Sequence, residues 1–329
     1  MNPPDRPTIL RRAKNWFRDF LTAPASPRPL AVLRIGLAAV LLLQALSIAG
    51  SIQELFGDRS IVQWSALRGD GAGMGYHGLV PRVSDLAGLL APLGISTAAC
   101  VRGIFLTYVF ALGCLLIGWR SNMVAAVAWL AHLMLCASGY MTIYGVDQFA
   151  NIALFYCVWM PVGAAWSCDV SAGRASDAPS IPARIGLRVL QVHLCLVYLT
   201  SGIEKAKFSQ WWNGDAIWRS VNLPEMAQFD MTWLAYVPWL AVLLGWGTLA
   251  IELGYAFLVW PRRTRKWMVL AALSLHLGIA VTLGLISFSA VMGVLSIAAF
   301  LVSAEAVPTT IAERVEMQAG VAGTVNAAG

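Results

Sequence analysis

Seven long apolar runs, at 30–50, 97–118, 122–141, 148–166, 185–204, 239–260 and 268–302, organise this chain of 329 residues. A bilayer core of about 30 Å takes roughly 20 apolar residues per crossing, and in lipid an open chain must satisfy its own backbone as a helix. The first six runs have the length of one crossing each. The seventh is too long for one and is divided at Ser287-Phe288-Ser289. The expected fold is therefore all-α, a polytopic membrane helical bundle of about eight transmembrane helices. Charged residues are only 12% of the chain, against roughly 25% in soluble domains, which excludes a water-soluble globule. The 30–50 run exceeds a signal-peptide core and is read as a retained helix, although Ser47-Ile48-Ala49 resembles a cleavage site.

The net charge of +6 does not point to nucleic acid, because the basic residues sit between apolar runs and form no face interleaved with aromatics. They read as a topology signal. With eight crossings, fifteen of the 23 Lys and Arg residues fall on one side: those before residue 29, with Arg120, Arg174, Arg184, Arg188, Arg262, Arg263, Arg265, Lys266 and Arg314. Six fall on the other: Arg59, Arg68, Arg82, Lys205, Lys207 and Arg219. Cytoplasmic loops carry the basic excess, so both termini are expected in the cytoplasm. The domains are a basic N-terminal segment (1–29), a transmembrane domain (30–302) and a disordered cytoplasmic tail (303–329). Two semi-polar, tryptophan-bearing segments, 51–96 and 205–238, are expected to cap the outer side. No internal repeat is visible, which weighs against an inverted-repeat transporter.

Few motifs carry chemistry. The six cysteines are scattered and read as buried small hydrophobes. The four histidines show no His-x-x-x-His spacing, so no metal is expected. Gly73-x-Gly75-x-x-Gly78 follows no strand and reads as a glycine-rich loop. Arg34 lies within snorkelling reach of the cytoplasmic surface, and Arg102 near the outer end of its run. Glu252 stands about 13 residues into the sixth run and reaches neither surface easily, so it is a protonated carboxyl, an ion pair with an Arg, or functional.

The densest polar group is at the outer ends of the fourth and fifth spans. Tyr144, Asp147, Gln148 and Asn151 lie on one, and Tyr198, Thr200, Ser201, Glu204, Lys205 and Lys207 on the other. Asp147 and Asn151 share a helix face. If the two ends are neighbours, Lys205 meets Asp147, and a lysine desolvated by Trp211 and Trp212 can act as a base. Composition alone favours Lys and Trp as interfacial anchors.

Leu190-Gln191, Leu196-Val197-Tyr198, Ser201-Gly202-Ile203-Glu204-Lys205 and Trp211-Trp212-Asn213-Gly214-Asp215-Ala216-Ile217-Trp218 resemble the core of the HTTM (horizontally transferred transmembrane) domain, shared with vitamin K-dependent gamma-carboxylase. Similar too are Pro29-Leu30-Ala31-Val32-Leu33-Arg34-Ile35-Gly36, Pro161-Val162-Gly163, Trp166-Ser167-Cys168-Asp169, His276-Leu277-Gly278-Ile279 and Phe288-Ser289. The likeness runs from about Pro29 to Val302. It implies that Lys205, after a Gly-hydrophobic-charged triplet, is a base on a reduced quinone of the vitamin K or menaquinol type. It also implies oxygen-dependent chemistry coupled to carboxylation of a glutamate-bearing acceptor. The carboxylase's supporting histidine has no counterpart near 144–151, so Asp147 or Asn151 would take its place. No counterpart of its large C-terminal lumenal domain is found in the sequence.

The resulting expectation is a bacterial inner-membrane protein in which Lys205 and Asp147 act on a quinone held by Asn151, Gln191, Tyr198, Trp211, Trp212, Glu252 and His276. The alternative is a non-enzymatic membrane scaffold or lipid-binding subunit, with membrane lipids as its partners.

Overall fold

A computed structural model of the chain describes residues 9–58, 80–139 and 144–305. The glycine-rich 73–78 loop, His77, Arg59, Arg68 and the tail from 306 onward lie outside the described residues. Among the described residues there is no strand. The helices are α1 (Ile9–Thr22), α2 (Arg28–Ile48), α3 (Ile52–Phe56), α4 (Val83–Leu90), α5 (Thr97–Ile117), α6 (Ser121–Ser138) and α7 (Gly145–Trp159). They continue as α8 (Cys168–Ser171), α9 (Ile181–Ala206), α10 (Ser209–Trp212), α11 (Asp215–Val221), α12 (Pro238–Leu258), α13 (Arg262–Leu283) and α14 (Ile286–Phe300).

Six stretches are long and apolar enough to cross a membrane: Arg28–Phe56, α5, α6, α9, α12 and α13. The other two expected spans are α7 and α14, which have 15 residues each, a rise of about 22 Å. These two pack on each other in the interior, where Leu154, Val291 and Ser296 are wholly enclosed. Helix α14 is enclosed by protein and need not match the thickness of lipid, whereas α7 keeps one exposed face of Gln148, Ile152, Phe155 and Trp159. The outer surface is apolar, with Leu43, Leu106, Phe110, Leu130, Leu196, Leu243 and Leu277 exposed, an arrangement that water would not tolerate and lipid favours. This is a multi-pass integral membrane protein.

Two boundaries differ from the sequence reading. The last apolar run breaks at Gly284, whose φ of +68° caps α13 in the left-handed region, so Ser287-Phe288-Ser289 falls inside α14. The fourth span ends at Trp159, because Met160 precedes Pro161 and is extended, and residues 160–167 are irregular.

That irregular segment is held by Arg34, which does not snorkel. Its side chain is fully buried. Nε donates to Val162 O at 3.1 Å, Nη1 to Leu115 O and Leu116 O at 2.7 and 2.8 Å, and Nη2 to Ala165 O and Trp166 O at 3.3 and 2.7 Å. All five guanidinium N–H groups are used. Two of the acceptors are in the last turn of α5, where carbonyls lack intrahelical partners. Beside this clasp, Asp169 accepts from Arg120 N, Ser121 N and Ser121 Oγ at 2.8 Å each and from Arg174 Nε at 3.0 Å, capping α6.

Replacing Arg34 with Leu strands four carbonyls and leaves Leu115 O only its bond from Gly118 N, so we expect the protein in detergent to lose about 3 kcal/mol or more, read as a lower melting temperature. Arg34→Lys, with three donors in place of five, should recover only part of it. Burial of Asp169 opposes its charge, but the bonds from Ser121, Arg120 and Arg174 outweigh that and hold its carboxyl below the ordinary aspartate range. Such a group contributes stability that is complete above its unfolded-state pKa and is lost as pH falls through the folded one. The wild-type melting temperature should therefore drop on acidification below about pH 4, and Asp169→Asn should start lower and fall less steeply.

Candidate functional site

The site begins with a close approach of two helices. A Cβ at Gly202 of α9 would lie 3.0 Å from Leu253 N, so glycine lets α9 run against the backbone of α12. One turn further, Lys205 Nζ sits 2.8 Å from both Glu252 carboxylate oxygens and 2.5 Å from Ser201 Oγ. The Trp211 ring lies 5.3 Å from the same nitrogen. Glu204 turns away and pairs with Lys207 at 2.6 Å in an exposed position.

Glu252 is thus paired, and its partner is a lysine and not the arginine that the paired reading named. Glu252 stands fourteen residues beyond Pro238 and six before Leu258, about 21 and 9 Å along α12, so the pair lies within the length of that span and not at either of its ends. Helix α9 stops at this level. The short α10 and α11 run on along the first half of α12, where Trp246 Nε1 donates to Trp212 O at 2.9 Å. Part of the expected outer cap is therefore folded into the side of the bundle.

Where α9 stops, a cavity of about 1140 Å³ opens between α9, α11, α12, α13 and the first turns of α14. Its walls are mostly apolar, including Phe149, Ile217, Leu244, Leu275, Leu283 and Phe288. Its polar side carries Ser201, Lys205, Thr248, Glu252 and His276. Tyr198 also lines it, with its hydroxyl 2.8 Å from His276 Nε2 and its ring stacked on Tyr255 at 4.1 Å between centroids. Among the described residues, His276 Nδ1 has no hydrogen-bond partner.

Five of the expected site residues, Lys205, Tyr198, Trp211, Glu252 and His276, share this cavity. The others are elsewhere. Asp147 lines a second cavity of about 280 Å³ with Tyr108, His132, Cys136, Tyr144 and Ser287, so it does not meet Lys205. Phe149, Phe288 and His276 pack edge to face or tilted between the two cavities, with centroids 5.9 and 5.5 Å apart. Asn151 Oδ1 accepts from Trp129 Nε1 at 2.5 Å and ties α7 to α6. Gln191 accepts from Arg188 at 2.7 Å and donates to Ala299 O at 2.6 Å, bracing α9 against α14. Trp212 is half-exposed and donates to Ala206 O at 2.8 Å. Ser201 and Thr248 were not singled out for this cavity, and the Lys205–Glu252 pairing was missed. Two opposite charges in neighbouring apolar runs are the signal that could have found it, since each is costly alone.

The family model of the HTTM domain matches residues 89–302, about two thirds of the chain and all of the larger cavity's walls. The chain belongs to the HTTM domain family. It is a membrane protein of the gamma-carboxylase-related group. The Pro29 to Gly36 motif lies before the matched range, although α2 packs into the same bundle. The uncharacterized protein YitO of Bacillus subtilis (strain 168) is 26% identical over 188 residues, which is 54% of this chain and 59% of YitO. The chain thus matches less than two thirds of that relative's length. No solved structure matches.

The ion pair makes a prediction about stability. Removing one member leaves the other charge stranded at low dielectric, so Lys205→Met and Glu252→Leu should each cost up to about 3–5 kcal/mol. The double variant should melt close to wild type, because an apolar pair fills the space without either charge. A double-mutant cycle by thermal unfolding in detergent checks this.

Proposed function

We propose that the larger cavity binds a reduced quinone of the vitamin K or menaquinol type, with Lys205 as the general base toward its hydroxyl. The observation that carries the reading is the Lys205–Glu252 pair on the polar side of an otherwise apolar cavity of about 1140 Å³. Such a cavity fits a group with an apolar tail and a polar ring hydroxyl, and its volume is at the upper end for small-molecule sites. A bound reduced quinone supplies an acidic hydroxyl and a reducing ring for oxygen-dependent chemistry.

The chain's own part is proton handling. A lysine is a base only as the neutral amine. Glu252, with both oxygens 2.8 Å from Nζ, is placed to take the ammonium proton and free the nitrogen lone pair. The Trp211 ring, 5.3 Å from Nζ, favours the cation that forms when Lys205 takes up a proton again. Tyr198 and His276, bonded to each other, form a second polar point that orients a ring. Apolar walls keep water from competing for the lysine. By the bias of basic residues, the face from which α10 and α11 approach is the outer one and both termini are cytoplasmic. The reading stops at proton abstraction and includes neither CO2 addition nor a glutamate-bearing acceptor.

The test is oxygen-dependent oxidation of menadiol by protein in nanodiscs, against empty nanodiscs. Lys205→Ala should lower the protein-dependent rate by about 100-fold or more, and Glu252→Gln should lower it less and displace its pH profile. A rate unchanged in Lys205→Ala sinks the base assignment. A wild type that neither retains nor oxidises any quinol points to the non-enzymatic scaffold or lipid-binding subunit.

A further inference from the structure

The smaller cavity gathers a different set of groups. His132 and Cys136 occur as His132-Leu133-Met134-Leu135-Cys136 on α6, four residues apart and therefore on one helix face. Asp147, three residues into α7, meets them from the neighbouring helix. The ligand atoms of all three lie within 4.8 Å of one another. Cys136 Sγ is 3.5 Å from His132 Nε2, and the same nitrogen is 3.3 Å from Asp147 O, which brings the start of α7 onto it. The Tyr108 ring packs on the imidazole with centroids 5.6 Å apart.

We propose that His132, Cys136 and Asp147 bind a divalent zinc-class cation. Zinc binds histidine nitrogen at about 2.0–2.1 Å and cysteine sulfur at about 2.3 Å, so the two atoms on one tetrahedral metal stand about 3.5 Å apart. That is the separation found. One soft thiolate, one imidazole and one carboxylate suit zinc better than calcium or magnesium, which take oxygen ligands. The Asp147 capping bond from Tyr144 N, at 3.0 Å, engages Oδ2, and a carboxylate has a second oxygen to offer. On binding, Cys136 gives up its proton to solvent and His132 coordinates through neutral Nε2. Three protein ligands leave a fourth position, and it faces a cavity of about 280 Å³, the arrangement of a zinc site that keeps an exchangeable ligand. The earlier expectation of no metal rested on histidine spacing alone and overlooked a His-x-x-x-Cys pair completed from another helix.

The site is independent of the quinone reading, because the two cavities share no lining residue. It is tested on tag-free, full-length protein in detergent by titration with Co2+, whose thiolate charge-transfer band reports cysteine ligation directly. Wild type should show a saturable band at roughly one equivalent per chain, displaced by Zn2+. Cys136→Ser should lose the band and weaken Co2+ binding at least about tenfold, His132→Gln should weaken it similarly, and Cys195→Ser should leave both unchanged. A second measurement needs no variant: Zn2+ should slow alkylation of Cys136 in wild type about tenfold, mapped by peptide mass. Absence of a saturable band in wild type, its survival in Cys136→Ser, or equal alkylation rates with and without Zn2+ would each overturn the site.

Discussion

Arg34 places five N–H donors among five carbonyls, only one of which, Leu115 O, has another donor in Gly118 N, and much of the bundle's architecture follows from that match. A membrane protein can end a helix inside the protein only if something other than water meets the last carbonyls. Here α5 ends against the guanidinium, and the irregular 160–167 segment passes around it. Because that segment is held, α7 can stop at 15 residues with its inner face on α14. Asp169, beside the clasp, fixes the start of α6 through two amides and a hydroxyl. The Pro29 to Gly36 and Pro161 to Asp169 motifs, which form part of the family resemblance, therefore meet in a structural joint remote from the large cavity.

The cavity has a related origin. Helix α9 ends level with Glu252, and α10 and α11 cover only part of the space that a longer α9 would have filled. The gap left between α12, α13 and α14 is mostly apolar, and its charged groups meet where Lys205 and Glu252 pair beside Ser201. Holding α9 to α12 does not need this ion pair: desolvation offsets much of its attraction, and well-packed apolar side chains would hold the helices as well. Gly202 already allows the backbones to meet. Stability therefore leaves the presence of a charge pair unexplained, and proton transfer within it is a use that an apolar pair could not serve.

Hydropathy made the helix number and order legible, because lipid imposes one length scale on every crossing. Boundaries were less legible where protein replaced lipid as the neighbour. Gly284 ended α13 ahead of the polar Ser287-Phe288-Ser289 stretch, since a left-handed cap decides a helix end more strongly than a few polar side chains do. Arg34 was misread because sequence depth suggested snorkelling, whereas its real partners are 81 to 132 residues away in sequence. In the candidate site, the resemblance placed Lys205, Tyr198 and His276 correctly in one neighbourhood. It could not pair Lys205 with Glu252, 47 residues on, or separate Asp147 from both, because these depend on how α9, α12 and α14 are arranged laterally.

The wall between the two cavities decides how their chemistry can be related. Phe149 at the start of α7 and Phe288 at the start of α14 pack together, and Ser287 faces the small cavity while Phe288 faces the large one. Both residues are in the first turn or two of short helices whose far ends are anchored, α7 through the Arg34 clasp and α14 through Gln191. A ligand that moved Phe288 would therefore act on His276, whose ring lies 5.5 Å from it, and through His276 on Tyr198. Phe149, Phe288 and His276 thus form a chain of ring contacts from the start of α7 to the larger cavity, with Phe288 at its centre.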